Sequence, residues 1–355
     1  MDLTDATRPV REGEQFDAAK VEAFLKERIP GLSGELTVRQ FPGGHSNLTY
    51  LVRVGGRELV FRRPPLGRKA KTAHDMGREF RILQALRPAF PYCPEPLAYT
   101  DDETIIGSPF YVMEPIRGII LRKDLPAGLN FTPVEARRLC ERLIDVFVEL
   151  HRVDYRRIGL GDFGRPEGYV KRQVEGWSER YRAARTPDAP DCEAVMAWLQ
   201  ERIPPESPLV SVIHNDYRFD NVVLDPKDPF RIVGVLDWEM ATIGDPLMDL
   251  GGALAYWVDR ADPPSMQAIR MVPTHLEGMF TRVELVRRYA EQMGTAVENV
   301  DFYYCFGLFR LAVIAQQIYW RFYHGQTKDE RFKWMIVAIQ VLEQRAMQVI
   351  GRSDL

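Results

Sequence analysis

Cysteine is scarce and scattered in this chain. There are four in 355 residues, Cys93, Cys140, Cys192 and Cys305, and none belongs to a Cys-x-x-Cys pair. That spacing argues against a disulfide framework and against a cysteine-based zinc site. Long apolar runs are missing too: none approaches the roughly 20 residues that a membrane helix needs. The opening MDLTDATRPVREGEQF is polar and has no apolar signal-peptide core. Charge of one sign is not in excess. Lys and Arg number 47 against 50 Asp and Glu, a formal net charge of −3, so no global basic field attracts nucleic acid or membrane. Internal repeats and low-complexity segments are absent. These absences predict a cytoplasmic protein with no nucleic-acid, membrane or obligate protein partner. What is present is a globular composition, 45% hydrophobic and 27% charged, with length for about two domains.

The stretch from Ser211 to Leu250 carries the chemistry. Ser211–Ile213 is a short apolar run. The polar loop His214-Asn215-Asp216-Tyr217-Arg218-Phe219-Asp220-Asn221 follows, then apolar Val222–Leu224. Asp225-Pro226-Lys227-Asp228-Pro229 is turn chemistry, and Arg231–Leu236 is apolar again before Asp237-Trp238-Glu239. Two strands joined by a turn form a hairpin. A hairpin brings its open ends together, so the polar loop and Asp237 are expected to be neighbours. Two carboxylates and an amide carbonyl are hard oxygen donors of the kind Mg²⁺ takes together with substrate phosphates. Phosphoryl transfer uses that set plus one acid free to orient the attacking hydroxyl. By position, Asp216 is the candidate base and Asn221 and Asp237 the candidate metal ligands. His-x-Asp-x4-Asn followed by a strand-borne Asp is the loop pattern of protein kinases.

Here the second loop reads Asp-Trp-Glu. HNDYRFDN followed by VLDWEMATIGDPLMDL resembles the aminoglycoside phosphotransferase family of kinase-like small-molecule kinases, and within it the phosphotransferase-like domain attached to some acyl-CoA dehydrogenases. The resemblance covers about Gln40 to Trp257. It implies an α+β, two-lobed protein-kinase-like fold, with a small sheet-containing lobe and a larger helical one. It also implies ATP or GTP as donor, Mg²⁺, and a small-molecule hydroxyl acceptor. A protein kinase is excluded, because only Trp238–Gly244 separates Asp237 from the next helix cap and leaves no room for a peptide platform. The hydroxyacyl-CoA-like, aminoglycoside and amino-alcohol acceptors stay open, as does a nucleotide-binding regulatory pseudokinase. A kinase of polycationic antibiotics should show an acidic acceptor wall, and Pro166–Arg185 has mixed charge instead.

Other candidates fall along the chain. Residues 1–15 read as a mobile arm, and Asp17 caps a helix to Arg28. The Gly43-Gly44 turn, with Ser46 and Asn47, lies between the strands Leu36–Phe41 and Leu48–Val54. Its backbone could approach phosphate closely. On the third strand, Arg57–Arg62, the resemblance implies a phosphate-holding lysine, but Arg62 and Arg63 stand there. Alternation puts Leu59 and Phe61 on one face, Val60 and Arg62 on the other. Arg62 is then the inward cation and Arg63 a surface charge. Arg68, Lys69 and Lys71 form a basic loop. Glu79, on the helix Asp75–Leu86, is the ion-pair candidate for Arg62. Met113-Glu114-Pro115-Ile116 resembles the kinase hinge, where the Glu114 carbonyl and the Ile116 N–H would meet the base, since Pro115 has no N–H. The domain boundary is expected there, giving 1–115 as the nucleotide-binding lobe and 116–355 as the catalytic and acceptor-binding lobe. Thr132-Pro133-Val134-Glu135 is a capping box opening a helix to about Val153. His151 at its end reads as packed or capping. Asp245 caps a further helix, and Asp249 is expected to bond the catalytic-loop backbone. His214 is read as loop support, and Glu239 as either near the metal or at the surface. Helices are expected over 283–291, 302–323 and 330–350, the middle one aromatic because its rings fill a core.

Overall fold

The computed structural model describes residues 7–41, 47–65 and 75–355. The chain forms two compact units: Met1–Ile120 with Asn221–Ala241, and Leu121–Asp220 with Thr242–Leu355. The expected hairpin thus groups with the first unit, although a hundred residues of the second precede it.

In the first unit α1 (Ala18–Arg28) starts where the Asp17 carboxylate accepts the N–H groups of Ala19 and Lys20, both at 3.1 Å. Strands β1 (Leu36–Gln40), β2 (Leu48–Val54) and β3 (Arg57–Arg63) are followed by α2 (Met76–Leu86), β4 (Pro96–Thr100), the short α3 (Glu103–Ile106) and β5 (Phe110–Met113). The sheet order is β1-β2-β3-β5-β4, antiparallel throughout. Gly55 at the β2–β3 turn has φ of +58° and backs onto the Ser33 carbonyl, so any side chain would clash there. One sheet face packs on α1 through Val21, Leu25, Val52, Leu59, Phe61 and Phe110.

The expected mobile arm is corrected from Arg8 onward. Arg8 and Gln40 exchange backbone hydrogen bonds of 2.9 and 2.8 Å. Phe16 stacks on Phe61 with centroids 4.8 Å apart. The Glu14 carbonyl accepts from Tyr50 Oη at 2.8 Å and from Arg63 Nη2 at 2.7 Å. This segment lies over the face of β3 that carries Arg63. Arg63 is therefore 1% exposed and not the surface charge expected of it. Alternation placed Arg62 and Arg63 on opposite faces correctly, but both faces are covered.

In the second unit α4 (Pro133–His151) begins at Thr132 with both capping-box bonds present and buries Leu139, Leu143, Val146, Phe147 and Leu150, as its periodicity predicts. α5 (Tyr169–Ala184), α6 (Glu193–Glu201) and the strand pair made by β7 (Ser211–Ile213) and β10 (Thr242–Gly244) follow. In the first unit β6 (Ile119–Ile120), β8 (Val222–Leu224) and β9 (Ile232–Val235) form an antiparallel sheet of order β6-β8-β9. The remaining helices are α7 (Pro246–Tyr256), α8 (Pro264–Ile269), α9 (Arg282–Met293), α10 (Val300–Tyr323) and α11 (Met335–Ile350). α10 runs through the core against α5, α7 and α11. Phe302, Tyr303, Phe306 and Phe309 are buried, and Tyr323 at its end is exposed. α7 and α10 touch backbone to backbone: a Cβ on Gly251 would strike the Tyr303 carbonyl, and one on Gly307 the Gly251 carbonyl.

Candidate active site

The candidate site residues divide between the two units at the Asp220–Asn221 peptide. In the first unit the hairpin forms as expected. Val222 faces Val235, and the Leu236 N–H donates to the Asn221 carbonyl at 2.8 Å. Register thus sets Asn221 beside the segment that carries Asp237. Asp237 itself has φ of +65°, a left-handed conformation costly for a non-glycine residue and typical of constrained sites. The turn after it is pinned by Trp238, which is buried against Phe90 and donates Nε1–H to the Val235 carbonyl at 2.8 Å.

Arg62 is the centre of an ionic cluster. Its Nε lies 3.2 Å from Glu79 Oε2, and its Nη2 lies 2.5 Å from Asp237 Oδ1 and 3.2 Å from Glu239 Oε2. Asn47 Nδ2 donates to the same Glu239 oxygen at 2.8 Å. Burial alone would lower the Arg62 pKa, but Glu79, Asp237 and Glu239 together hold it well above arginine's ordinary value. Glu79 has only a share of that one guanidinium, so burial pushes its own pKa up. The expected Arg62–Glu79 pair is present. Glu239 lies in the cluster, 16% exposed at the side chain; the Asp-Trp-Glu spelling gave no means of choosing that outcome over the surface one.

The other first-unit candidates are less concentrated. Gly43, Gly44 and Ser46 lie outside the described residues, as do Arg68, Lys69 and Lys71 of the basic loop. The Glu114 side chain pairs with Arg57, and its N–H donates to the Glu95 carbonyl at 2.9 Å. Ile116 packs on Gly234 of β9, where a larger residue would not fit.

Among the described residues no three His, Cys, Asp or Glu side chains are gathered as a preformed metal cage. Mg²⁺ does not call for one, because it keeps several waters and takes phosphate oxygens. The Asp237 carboxylate, 36% exposed, and the Asn221 amide are the hard oxygen donors such an ion uses.

In the second unit the candidate catalytic loop leaves β7 and is held by α7. Asp249 on α7 accepts the backbone N–H of His214 at 2.6 Å and of Asn215 at 2.7 Å. Its Oδ2 also lies 3.2 Å from His151 Nε2, while His151 Nδ1 lies 2.7 Å from Tyr289 Oη. Asp249 and His151 are thus structural, as their positions suggested. His214 is fully buried, and its Nδ1 accepts the Asp216 N–H at 3.2 Å. The loop then alternates. Tyr217 and Phe219 point into the core, Tyr217 stacked on Phe147 at 4.3 Å and donating to the Leu143 carbonyl. Asp216, Arg218 and Asp220 share the opposite side. Arg218 reaches Asp216 Oδ2 at 3.5 Å and Asp220 Oδ1 at 2.8 Å, and lies 4.3 Å over the Tyr256 ring. Burial outweighs Arg218 and pushes Asp220 up to about 6. Arg218 and Asp220 went unassigned at the sequence level, although they alternate with Asp216 in the same loop.

The fold and these residues define a kinase-like phosphotransferase, and comparison with known proteins agrees. The sequence model of the family described as "Phosphotransferase enzyme family" matches residues 37–273, so the chain belongs to that family. Among characterised sequences it is 32% identical to acyl-CoA dehydrogenase family member 11 of Rattus norvegicus, over 99% of this chain and 46% of that protein. It is 35% identical to acyl-CoA dehydrogenase family member 10 of Mus musculus, over 91% of this chain and 30% of that one. The chain therefore spans about half the length of the first relative, and less of the second. A solved structure described as a putative aminoglycoside phosphotransferase from Ralstonia eutropha JMP134 superposes with a TM-score of 0.81 at 30% identity, covering 96% of this chain and all of that one. A choline kinase from Cryptosporidium parvum shares the fold at a TM-score of 0.64 and 12% identity, covering 94% and 96% of the two chains.

Proposed function

We propose that the chain is an ATP-dependent phosphotransferase acting on the hydroxyl of a small molecule, with a hydroxyacyl-CoA-like compound as acceptor. The observation that carries the reading is the buried Arg62 cluster, in which one guanidinium on β3 is held against Glu79 and reaches Asp237. A cation so placed suits the α- and β-phosphates of a nucleotide. Asn47, bonded to Glu239, would contact the same phosphates, as we propose for Gly43, Gly44 and Ser46, and Glu114 and Ile116 would take the base. Asn221 and Asp237 would hold Mg²⁺, which would supply positive charge to neutralise the phosphates. Asp216 would orient the acceptor hydroxyl and take its proton as oxygen bonds to the γ-phosphorus. The bond from that phosphorus to the β–γ bridging oxygen breaks, and ADP leaves. Support for an acyl-CoA-like acceptor comes from the names of the relatives that align over nearly the whole chain. GTP is the alternative donor, and an aminoglycoside or amino alcohol the alternative acceptor. No helix of the described residues is long and apolar enough to cross a membrane, in keeping with the cytoplasmic setting we propose. The test is transfer of label from γ-labelled ATP across a panel of hydroxylated acyl-CoA esters, hydroxy acids, amino alcohols and aminoglycosides. Nucleotide binding without transfer to any of them would replace this reading with a regulatory, pseudokinase one.

A further inference from the structure

Arg310 stands out among the charged groups of the second unit. It lies on α10, the central helix, and is 7% exposed. Arginine is almost never buried without an anion, because removing its charge from water is costly. Yet among the described residues no carboxylate forms an ion pair with Arg310 and no group forms a hydrogen bond with it. Its guanidinium carbon lies 5.3 Å from the centre of the Trp177 ring on α5. That ring is shared with Arg180 at 4.7 Å, so it faces two cations. The buried carboxylates of this neighbourhood are committed elsewhere. Asp249 is taken by the N–H groups of His214 and Asn215, and Asp245 by the N–H of Leu247 and by Tyr303.

Two tyrosines and the helix α7 connect the surroundings of Arg310 with the loop that carries Asp216. Tyr169 Oη lies 3.5 Å from Asn215 Nδ2, one residue before Asp216. Tyr256 lies under Arg218, two residues after it. Burial pushes the Tyr169 pKa up to about 12 and that of Tyr256 up strongly, and Arg310 acts on both in the opposite direction. A Cβ on Gly252 of α7 would lie 3.5 Å from Arg310 Nη1, so the guanidinium lies against the helix that carries Tyr256 and Asp249, and it is on this side of α10 that we place the acceptor.

We propose that Arg310 is the specificity residue of the acceptor site and that the acceptor is an anionic alcohol, its carboxylate or phosphate group paired with this guanidinium. The proposal rests on the phosphotransferase reading above and narrows it. A polycationic antibiotic or a quaternary amino alcohol would bring a positive charge to an unbalanced buried cation. A hydroxy acid or a phosphate-bearing ester would supply the missing anion, in the bidentate geometry arginine favours.

The test uses the full chain and a matched set of probes: 3-hydroxybutyrate, its neutral methyl ester, 3-hydroxybutyryl-CoA, and choline. Affinity is read by calorimetry with the non-hydrolysable MgATP analogue present, and turnover by label transfer from ATP. The wild type is expected to bind one of the two anionic probes at least tenfold tighter than methyl ester or choline. Preference for the free acid places the anion beside the hydroxyl, and preference for the CoA ester places it on the nucleotide phosphates. Arg310→Met should remove that preference while leaving nucleotide affinity unchanged, and Arg310→Lys should restore part of it. Equal wild-type affinity for acid, CoA ester and methyl ester overturns the proposal, as does an undiminished preference in Arg310→Met. The wild-type comparison decides even if Arg310→Met does not fold. Anion preference without transfer keeps the proposal and removes the phosphotransferase reading. Transfer to choline or to the methyl ester at the rate of the anionic probes does the reverse.

Discussion

At the scale of single residues, the chain uses adjacent arginines for unlike tasks. Arg62 faces Glu79, Asp237 and Glu239, whereas Arg63 faces the aromatic core under residues 8–16. Arg62→Ala should raise the KM for ATP and lower kcat together, because in the proposed mechanism the contact would both hold and align the phosphates. Arg62→Lys, which has the charge without the fork, should retain part of the activity in steady-state assays. Arg63→Ala acts on stability instead. It leaves the Glu14 carbonyl and the Tyr50 hydroxyl short of a donor and opens a void beside Phe16. A loss of about 1–3 kcal/mol is expected in denaturant unfolding, with nucleotide affinity little changed. Asp216→Asn should keep nucleotide affinity and lower turnover by a factor of about 10² or more, the usual size of a general-base contribution. Unchanged turnover would remove Asp216 from the mechanism.

Elements decide where those residues stand. The β8–β9 hairpin was legible because turn chemistry sits between two apolar runs, and its register then sets Asn221 next to Leu236. The β7–β10 pair was not legible. Thr242–Gly244 is only three residues long, and its partner lies some thirty residues earlier, so no local pattern marks it. The short α3 was not legible either; the Asp102 side chain caps it by accepting the Thr104 N–H at 2.9 Å. The α7–α10 contact also escaped notice, since glycines inside helices read as weak spots when only the sequence is in view. It matters because α7 carries Asp249 and α10 carries Arg310. Gly251→Ala should push the two helices apart. A loss of about 1–3 kcal/mol, the usual cost of overpacking, is expected in thermal or denaturant unfolding. Loss of turnover should accompany it as the loop held by Asp249 shifts. An unchanged midpoint would show that the helices can move apart without cost.

For the molecule as a whole, the buried charges of the loop after β7 predict a pH dependence of stability. Burial raises Asp220 to about 6 from an ordinary carboxylate value near 3.8. Between about pH 4 and 6 the folded protein then binds this proton more readily than the unfolded chain does. The sign of the linkage follows: Asp220 favours folding at low pH, and that contribution is lost as pH rises through 6. Asp220→Asn cannot titrate. Wild-type stability relative to the mutant should therefore fall between pH 4 and 6 and level off above about 7, measured by urea unfolding at stepped pH. A flat difference would mean that Arg218, 2.8 Å away, keeps the carboxylate ionised throughout.

The sequence by itself determined the family, the helix caps at Asp17, Thr132 and Asp245, the hairpin, and the identity of Asp216, Asn221 and Asp237 as the residues to test. Each is a local signal, a capping side chain or a motif of fixed spacing, and local signals survive in one dimension. Tertiary structure alone decided what covers each face. Alternation says that Arg62 and Arg63 point opposite ways, but not that residues 8–16 bury the second of them. Spacing puts Glu239 two residues after Asp237, but not against Arg62 and Asn47. Periodicity puts Arg310 on a helix, but not inside the core without a carboxylate of its own. Burial and pairing depend on segments far apart in the chain, and the cost of a buried charge is set by whichever of those segments packs against it.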